Sequence, residues 1–369
     1  ELKARRAFTA SLITVSVVTA AAWLFIILCE EPLLRLFGAD ETLLPLGKGY
    51  MKWLRYAVPL FTFGQFFSTF IRNDNAPAKS MMAVVSGGVF NIIGDYVCVF
   101  ALDMGIEGAG LATALGQLLA FCILCTHFFS RKNGLKLACP TGFFRIVRAV
   151  LAAGFSVFVV DLAMGVTTML FNNAVMSKLG ADALAVYGVI VNIGTFVQSM
   201  SYGTGQAAQP IISVNLGAGN AQRIVRVSRY GLLSALVIGL AATTVCEAFP
   251  SFITSLFMKT NPAIDEIAPY AIRIYAMSFI LLPINVFTTY YFQAIMRPAV
   301  SLFVSLLRGI AFSALFIMVL PLVFGGQSLW FVMPLNELLT FIFSAALLLT
   351  FNRRLTAEGV KLERAETAG

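Results

Sequence analysis

The sequence predicts an all-α polytopic membrane protein made of two parallel-related helical lobes, and three observations carry that prediction. Hydrophobic residues make up 59% of the 369 positions and charged residues only 12%, against about 25% charged in soluble domains, and the mean hydropathy is +0.86. Ten apolar windows are long enough to cross a bilayer, which takes about 20 residues. They run approximately 8–29, 49–71, 81–102, 108–129, 149–175, 184–212, 230–248, 267–292, 301–323 and 329–350. Finally, residues 1–130 repeat 220 or 221 positions later: Leu36-Phe37 meets Leu256-Phe257, Tyr50 meets Tyr270, and Gln65 to Phe70 meets Asn285 to Tyr290. After a one-residue shift Pro77-Ala-Lys-Ser80 meets Pro298-Ala-Val-Ser301, and Gly105 meets Gly326.

Loop charges orient the spans. Lys3, Arg5, Arg6, Arg72, Lys79, Arg131, Lys132, Lys136, Arg145, Arg148, Arg223, Arg226, Arg229, Arg297, Arg353, Arg354, Lys361 and Arg364 fall on one side. Arg35, Lys48, Lys178 and Lys259 fall on the other, where Glu30, Glu31, Asp40 and Glu41 also lie. Because basic loops stay inside, this predicts a multi-pass protein of the inner (cytoplasmic) membrane with both ends cytoplasmic. Each related pair of spans then has one orientation, so the halves are parallel repeats about an axis along the membrane normal. The expected division is an N-terminal lobe of four spans at 1–130, a basic linker at 131–148, a lobe of six spans at 149–350 and a tail at 351–369. Lys52, Arg55, Arg273 and Arg308 lie within about two turns of a span end and read as snorkelling side chains.

Several function classes are excluded. The formal charge of +8 is spread over short loops, which is orientation information and not a nucleic-acid footprint. Six cysteines without paired spacing read as reduced core residues. The single His127 cannot build a multi-histidine metal site, and beside Arg131 and Lys132 it reads as an interfacial side chain. No nucleophile elbow, Walker sequence or carboxylate pair at helical spacing within a span is present, so neither an enzyme, nor a cofactor, nor direct use of ATP is expected.

What remains are polar groups deep in apolar helices, where a charge costs on the order of 3 kcal/mol or more unless paired or wet. Asp161 lies about 12 residues into its span, roughly 18 Å along a helix. Asn172, Asn173, Asn192 and Gln198 follow on the same and the next helix, with Met164, Met169 and Met200 nearby. Asp161 is either a cation or substrate ligand or an interhelical hydrogen-bonding clamp. Asp95, in Asn91-Ile-Ile-Gly-Asp95, is a packing feature or a supporting polar group; Asn336 and Glu337, after Pro334, are a polar clamp or cavity residues. Gln65 and Asn285, equivalent under the repeat, follow Pro59 and Pro283, and prolines in corresponding spans point to a binding site. The rings around them (Phe61, Phe63, Phe66 and Phe67 in one half, Phe279, Phe287 and Tyr290 in the other) suit flat organic cations.

The stretch from Gly203 to Asn220 breaks this pattern. Small residues at 203, 205, 207 and 208 permit close helix approach, Gln206 and Gln209 add amides, and Pro210 removes a backbone donor. We read Gly205, Gln206, Gln209 and Pro210 as a structural hinge at the cytoplasmic end of the span. Gly217-Ala-Gly-Asn220 then precedes Gln222 and the arginines 223, 226 and 229. This run resembles the signature after the second helix of each half in multidrug and toxic compound extrusion transporters, in particular their bacterial multidrug branch.

That resemblance implies twelve spans in two six-helix lobes that rock to exchange Na⁺ or H⁺ for amphipathic organic cations, with the lipid bilayer as the surroundings and no obligate protein partner. On the repeat register the chain starts just after the first-half equivalent of Gly217-Ala-Gly-Asn220, so the first two helices of the resembled proteins have no counterpart, and with them one of the family's ion sites. Two departures stand out. Gly154-Phe-Ser156 replaces the family's Gly-Leu-Pro, and Asp161 lies about one turn before the acid that some members use. A lipid-linked oligosaccharide flippase of the same superfamily would want a more basic cavity, and a membrane-embedded enzyme a histidine or carboxylate pair at the interface.

Overall fold

The computed structural model describes residues 2–36, 41, 43–131, 133–139 and 141–367. Glu1, Phe37, Asp40 and Lys132 lie outside them, as do the side chains of Lys3, Ser156, Arg354, Lys361 and Arg364. Helices account for nearly all of the described chain, which divides into two compact units, Glu1–Ala152 and Ala153–Gly369.

The first unit contains α1 (Leu2–Leu28), the short α2 (Glu30–Leu36), α3 (Leu43–Asn73), α4 (Pro77–Asp95) and α5 (Gly105–Cys125). α3 and α4 both pack along α5, and the Trp23 indole ties α1 to α3 by donating to the Arg55 carbonyl at 2.7 Å. Between α1 and α3, Glu31 accepts from Lys48 and Arg35. Those hydrogen bonds hold its carboxyl below the ordinary 4.5. This pairing is therefore complete above the ordinary value and is lost as pH falls through the lowered one.

The second unit contains α6 (Phe143–Leu179, from residue 153 on), α7 (Ala181–Gly217), α8 (Ala221–Ala248), the short α9 (Pro250–Phe257), α10 (Pro262–Ala276), α11 (Ser278–Ala294), α12 (Pro298–Leu306), α13 (Phe312–Phe324) and α14 (Val332–Thr367). Its core gathers Phe171, Tyr187, Tyr275, Phe279, Leu329 and Trp330, with Phe171 stacked on Tyr187 at 4.4 Å between ring centroids.

Among the described residues eight helical segments are long and apolar enough to cross a membrane: Ala4–Leu28, Pro77–Ala101, Gly105–Phe129, Ala181–Gly217, Ala221–Ala248, Pro262–Ala294, Pro298–Phe324 and Gly326–Arg353. The remaining two expected spans coincide with α3 and α6, of 31 and 37 residues. α3 is less apolar because Lys48, Lys52 and Arg55 occupy its first half. Lys52 reaches Glu107 at 2.8 Å and Arg273 reaches Glu247 at 3.8 Å, both pairs lying at exposed span ends.

The sequence repeat is also a repeat of backbone. α1, α2 and α3 recur as α8, α9 and the pair α10–α11, so even the short helix has its equivalent. Asn75 and Met296, 221 positions apart, are both non-glycine residues in the left-handed region at φ 59°. Each precedes a helix that opens on proline, Pro77 or Pro298.

Packing between α8 and α11 leaves no room for side chains at the crossing. A Cβ on Gly239 would lie 2.5 Å from the Phe279 carbonyl oxygen and 2.8 Å from that of Ile280. Backbone cannot move as a side-chain tip can. Gly239→Val should therefore force α8 and α11 apart and destabilise the protein by about 1–3 kcal/mol, the usual range for overpacking. A lowered melting temperature of the purified protein checks this, with Gly165→Ala, where a Cβ meets nothing within 4 Å, as the variant expected to melt normally.

Candidate functional site

The most polar interior of the described chain lies in the second unit, where α11, the α12–α13 segment and α14 meet. Pro298 to Phe324 forms one span, but residues Leu307–Ala311 make a π-helical turn. Such a turn inserts one residue and displaces main-chain carbonyls from their regular partners. Here side chains take them. Asn336 Nδ2 donates to the Arg308 carbonyl at 2.9 Å, Ser313 Oγ to the same oxygen at 3.0 Å, and Thr167 Oγ1 to the Gly309 carbonyl.

Arg308 itself turns inward. Its Nε donates to Glu337 Oε1 at 2.7 Å, with the two side chains 13% and 0% exposed. Asn285 Nδ2, on α11, donates to Glu337 Oε2 at 2.7 Å and to the Glu337 carbonyl at 2.9 Å. Ser344, two turns further along α14, donates to Asn285 Oδ1 at 2.9 Å. Asn285, Asn336, Glu337, Thr340 and Ser344 are all fully buried. Asn336 Oδ1 and the Thr340 hydroxyl lack a hydrogen-bond partner among the described residues, so the centre is more polar than its own ion pair satisfies.

The snorkelling expectation for Arg308 is thereby corrected. The helix begins at Pro298, so Arg308 lies ten residues in, about 15 Å along the axis and close to the middle of a 30 Å hydrocarbon core. A carboxylate at equal depth on α14 is the better partner than distant solvent. For Asn336 and Glu337 the sequence left a clamp and a cavity residue open, and the geometry is that of a clamp joining three helices.

The other candidates are dispersed. Asp161 lies midway along α6, 18 residues from either end; it is exposed on its unit and has no salt-bridge partner among the described residues. Asn173, more than three turns further along α6, and Asn192 on α7 are exposed as well, and the Asn192 amide is engaged by the Gly188 carbonyl of its own helix at 2.9 Å. Gln198 bonds to the Tyr202 hydroxyl and approaches the Met164 sulfur at 3.9 Å, linking α7 to α6. Gln65 is exposed on α3. Asp95 has a buried Oδ1 without a partner among the described residues, while Asn91 donates to Thr113 at 3.3 Å and ties α4 to α5.

Pro210, in the stretch that the sequence reads as a hinge, lies inside an unbroken α7. Gly205 is buried with Tyr290 so close that a Cβ would fall 2.5 Å from its ring. Gln206, Gln209 and Pro210 are half-buried. His127, near the end of the Gly105–Phe129 span, is buried: its Nε2 lies 2.8 Å from Asp74 Oδ2, the oxygen that also accepts from the Gly134 amide at 2.8 Å. The six cysteines are free, and only Cys98 and Cys246 are fully buried.

The profile of the MatE family matches residues 1–97 and 157–319, well over half of the sequence. The chain belongs to the MatE family. The match contains Gln65, Asp95, Asp161, Asn285 and Arg308 and ends before Asn336 and Glu337. Multidrug export protein MepA of Staphylococcus saprophyticus is 23% identical over 291 residues, which are 78% of this chain and 63% of that protein. MepA of Staphylococcus aureus is 25% identical over 294 residues, 78% and 64% of the two chains. The chain thus spans less than two thirds of the length of these curated relatives.

Among solved structures, a multidrug resistance MATE family transporter of the MOP superfamily in its outward-facing conformation superimposes with a TM-score of 0.85 at 19% identity, over 96% of this chain and 79% of that one. A MOP superfamily transporter from Pyrococcus furiosus gives 0.82 at 19%, over 96% and 79%. At such identities the likeness concerns the fold.

Within the MatE fold the internal repeat gives the polar centre a counterpart. Shifted by 221 positions, Arg308 and Glu337 fall on Gly87 and Gly116. There a Cβ on either glycine would lie 2.8 Å from the carbonyl oxygen of the other. Equivalent helices are joined by backbone contact in one unit and by an ion pair in the other.

Removing one partner of a buried ion pair strands the other, at a typical cost of 3–5 kcal/mol. Arg308→Met should accordingly deplete the protein from the membrane fraction and lower its melting temperature. Arg308→Met combined with Glu337→Met should recover most of both, since an apolar pair leaves no stranded charge. Quantifying membrane abundance and melting for the single and double variants checks this.

Proposed function

We propose that this chain acts as a secondary transporter that exports amphipathic organic cations in exchange for Na⁺ or H⁺, by rocking of its two helical lobes in the cytoplasmic membrane. The observation that carries the reading is the MatE match across both units, taken with relatives that are multidrug export proteins. No chemistry is performed on the cargo, and no cofactor is required.

The residues divide into two roles in this reading. Asp161 is the acid available to a cation: mid-helix, exposed on its unit and unpaired among the described residues. A carboxylate at that depth gains from an incoming positive charge, which offsets its own cost. Met164, three residues further along α6, and Gln198 of α7, 3.9 Å from the Met164 sulfur, offer soft and amide surfaces. Glu337 is already neutralised by Arg308, so it maintains the shape of the C-terminal unit and leaves cation recognition to Asp161. The aromatic residues near Gln65, with Phe66 and Phe67 at 5.5 Å between centroids, provide flat apolar surface in the N-terminal unit.

Expressed in a pump-deficient bacterial host, the protein should lower the steady-state accumulation of ethidium. Dissipating both the proton and the sodium gradient should restore accumulation. Asp161→Asn, which keeps size and hydrogen bonding but removes the charge, should bring export to background at unchanged membrane abundance, while Asp161→Glu retains part of it. Normal export by Asp161→Asn would remove that residue from the mechanism. Export indifferent to both gradients would remove antiport.

A further inference from the structure

A second site lies at the far end of α7, away from the polar centre. Where α7 ends and α8 begins, a cavity of about 560 Å³ is lined by Ile211 on α7, by Asn220, and by Gln222, Arg223, Arg226, Val227 and Tyr230 at the start of α8. Both helices are long and apolar enough to cross a membrane, and the cavity sits at their shared end.

Its lining is divided in chemistry. Ile211 and Tyr230, 47% and 65% exposed, join Val227 in an apolar wall. Arg223 and Arg226 are exposed, and no carboxylate approaches either within ion-pair distance among the described residues. At other span ends Arg35, Lys48, Lys52 and Arg273 each find an acid, whereas the exposed Arg145 and Arg148 have none among the described residues and do not line this cavity with its apolar wall. Arg223 and Arg226 also crowd the first turns of a helix, where the backbone amides already carry partial positive charge. Asn220 Oδ1 accepts from the Arg223 amide at 3.0 Å and so fixes the turn that presents them.

Two unpaired guanidiniums above an apolar wall at a membrane boundary match a ligand that is anionic at one end and aliphatic at the other. We propose that this cavity binds the headgroup of an anionic phospholipid, with Arg223 and Arg226 holding the phosphate and Ile211, Val227 and Tyr230 against the glycerol and the first methylenes. Guanidinium suits this role because its planar fork pairs with two phosphate oxygens at once. A tyrosine at the boundary places its ring against the chains and its hydroxyl among headgroups. The Gln222 amide, beside them, can donate to the same group.

The site is tested on the purified full chain by native mass spectrometry, with phosphatidylglycerol or phosphatidylcholine added to the detergent. The unsubstituted protein should retain phosphatidylglycerol in preference to phosphatidylcholine, and Arg223→Gln with Arg226→Gln should weaken that retention about 30-fold, at roughly one charge-equivalent of surface attraction per arginine. Arg145→Gln with Arg148→Gln, which removes two exposed arginines elsewhere, should retain the lipid like the unsubstituted protein. Val227→Trp fills the cavity without altering charge and should also weaken retention, which keeps the test informative if the arginine variant folds poorly. Equal losses from both double arginine variants would overturn the proposal in favour of unspecific basic charge. Displacement of the lipid by millimolar inorganic phosphate would overturn it in favour of a free anion site. Because the readout is lipid retention, it stands or falls independently of ethidium export.

Discussion

A guanidinium and a carboxylate held 2.7 Å apart, ten or more residues inside two apolar spans, oblige their surroundings to supply what water would have supplied. Asn285 takes the second carboxylate oxygen, Ser344 takes the Asn285 carbonyl, and Asn336 takes the main chain that the π-turn releases. In hydrocarbon each of these groups left alone would cost several kcal/mol. The arrangement therefore fixes three helices at once: α14 cannot slide along α11 without breaking the Asn285 bonds, nor rotate without exposing Glu337. Interhelical hydrogen bonds in membranes are individually weak, averaging about 0.6 kcal/mol. The rigidity comes from their sharing one charge.

At the equivalent positions the N-terminal unit makes the helix contact with backbone alone, beside one Asn91–Thr113 hydrogen bond. Gly87 and Gly116 let α4 and α5 touch backbone to backbone, where van der Waals packing is the available attraction. The polar asymmetry of the two units accordingly goes back to two positions in a duplicated sequence. A glycine pair tolerates adjustment by sliding, whereas an ion pair is all or nothing. The C-terminal unit is the one held by a charge.

Much of this was legible in the sequence. The repeat needed only Leu36-Phe37, Pro77 and Gly105 and their partners, because turns and prolines keep their positions when apolar residues drift. The family was legible from Gly203 to Asn220. The Arg308–Glu337 pair was not, because the residues are 29 apart on different helices and nothing in composition marks the π-turn that aims Arg308 inward. Counting Arg308 from an apolar window that began at residue 301 placed it too near the membrane surface; the helix starts at Pro298. The burial of His127 was illegible for a related reason. Its neighbours in sequence are basic, but its neighbour in space is Asp74, 53 residues away.

The π-turn at Leu307–Ala311 has an equivalent, though not at the same place. The first-half span Pro77 to Ala101 also carries one π-helical stretch, at Tyr96–Ala101. Both spans thus contain one inserted residue between the same two landmarks, proline at the start and glycine after the end. Between the two insertion points, however, the helices are out of phase by one residue, or about 100°. Residues paired by sequence in that interval, such as Asn91 with Phe312 and Asp95 with Phe316, point in different directions. A helical wheel drawn from one half thus predicts the wrong face for the other, and superposition of α-carbons, not spacing, is what identifies equivalent side chains there.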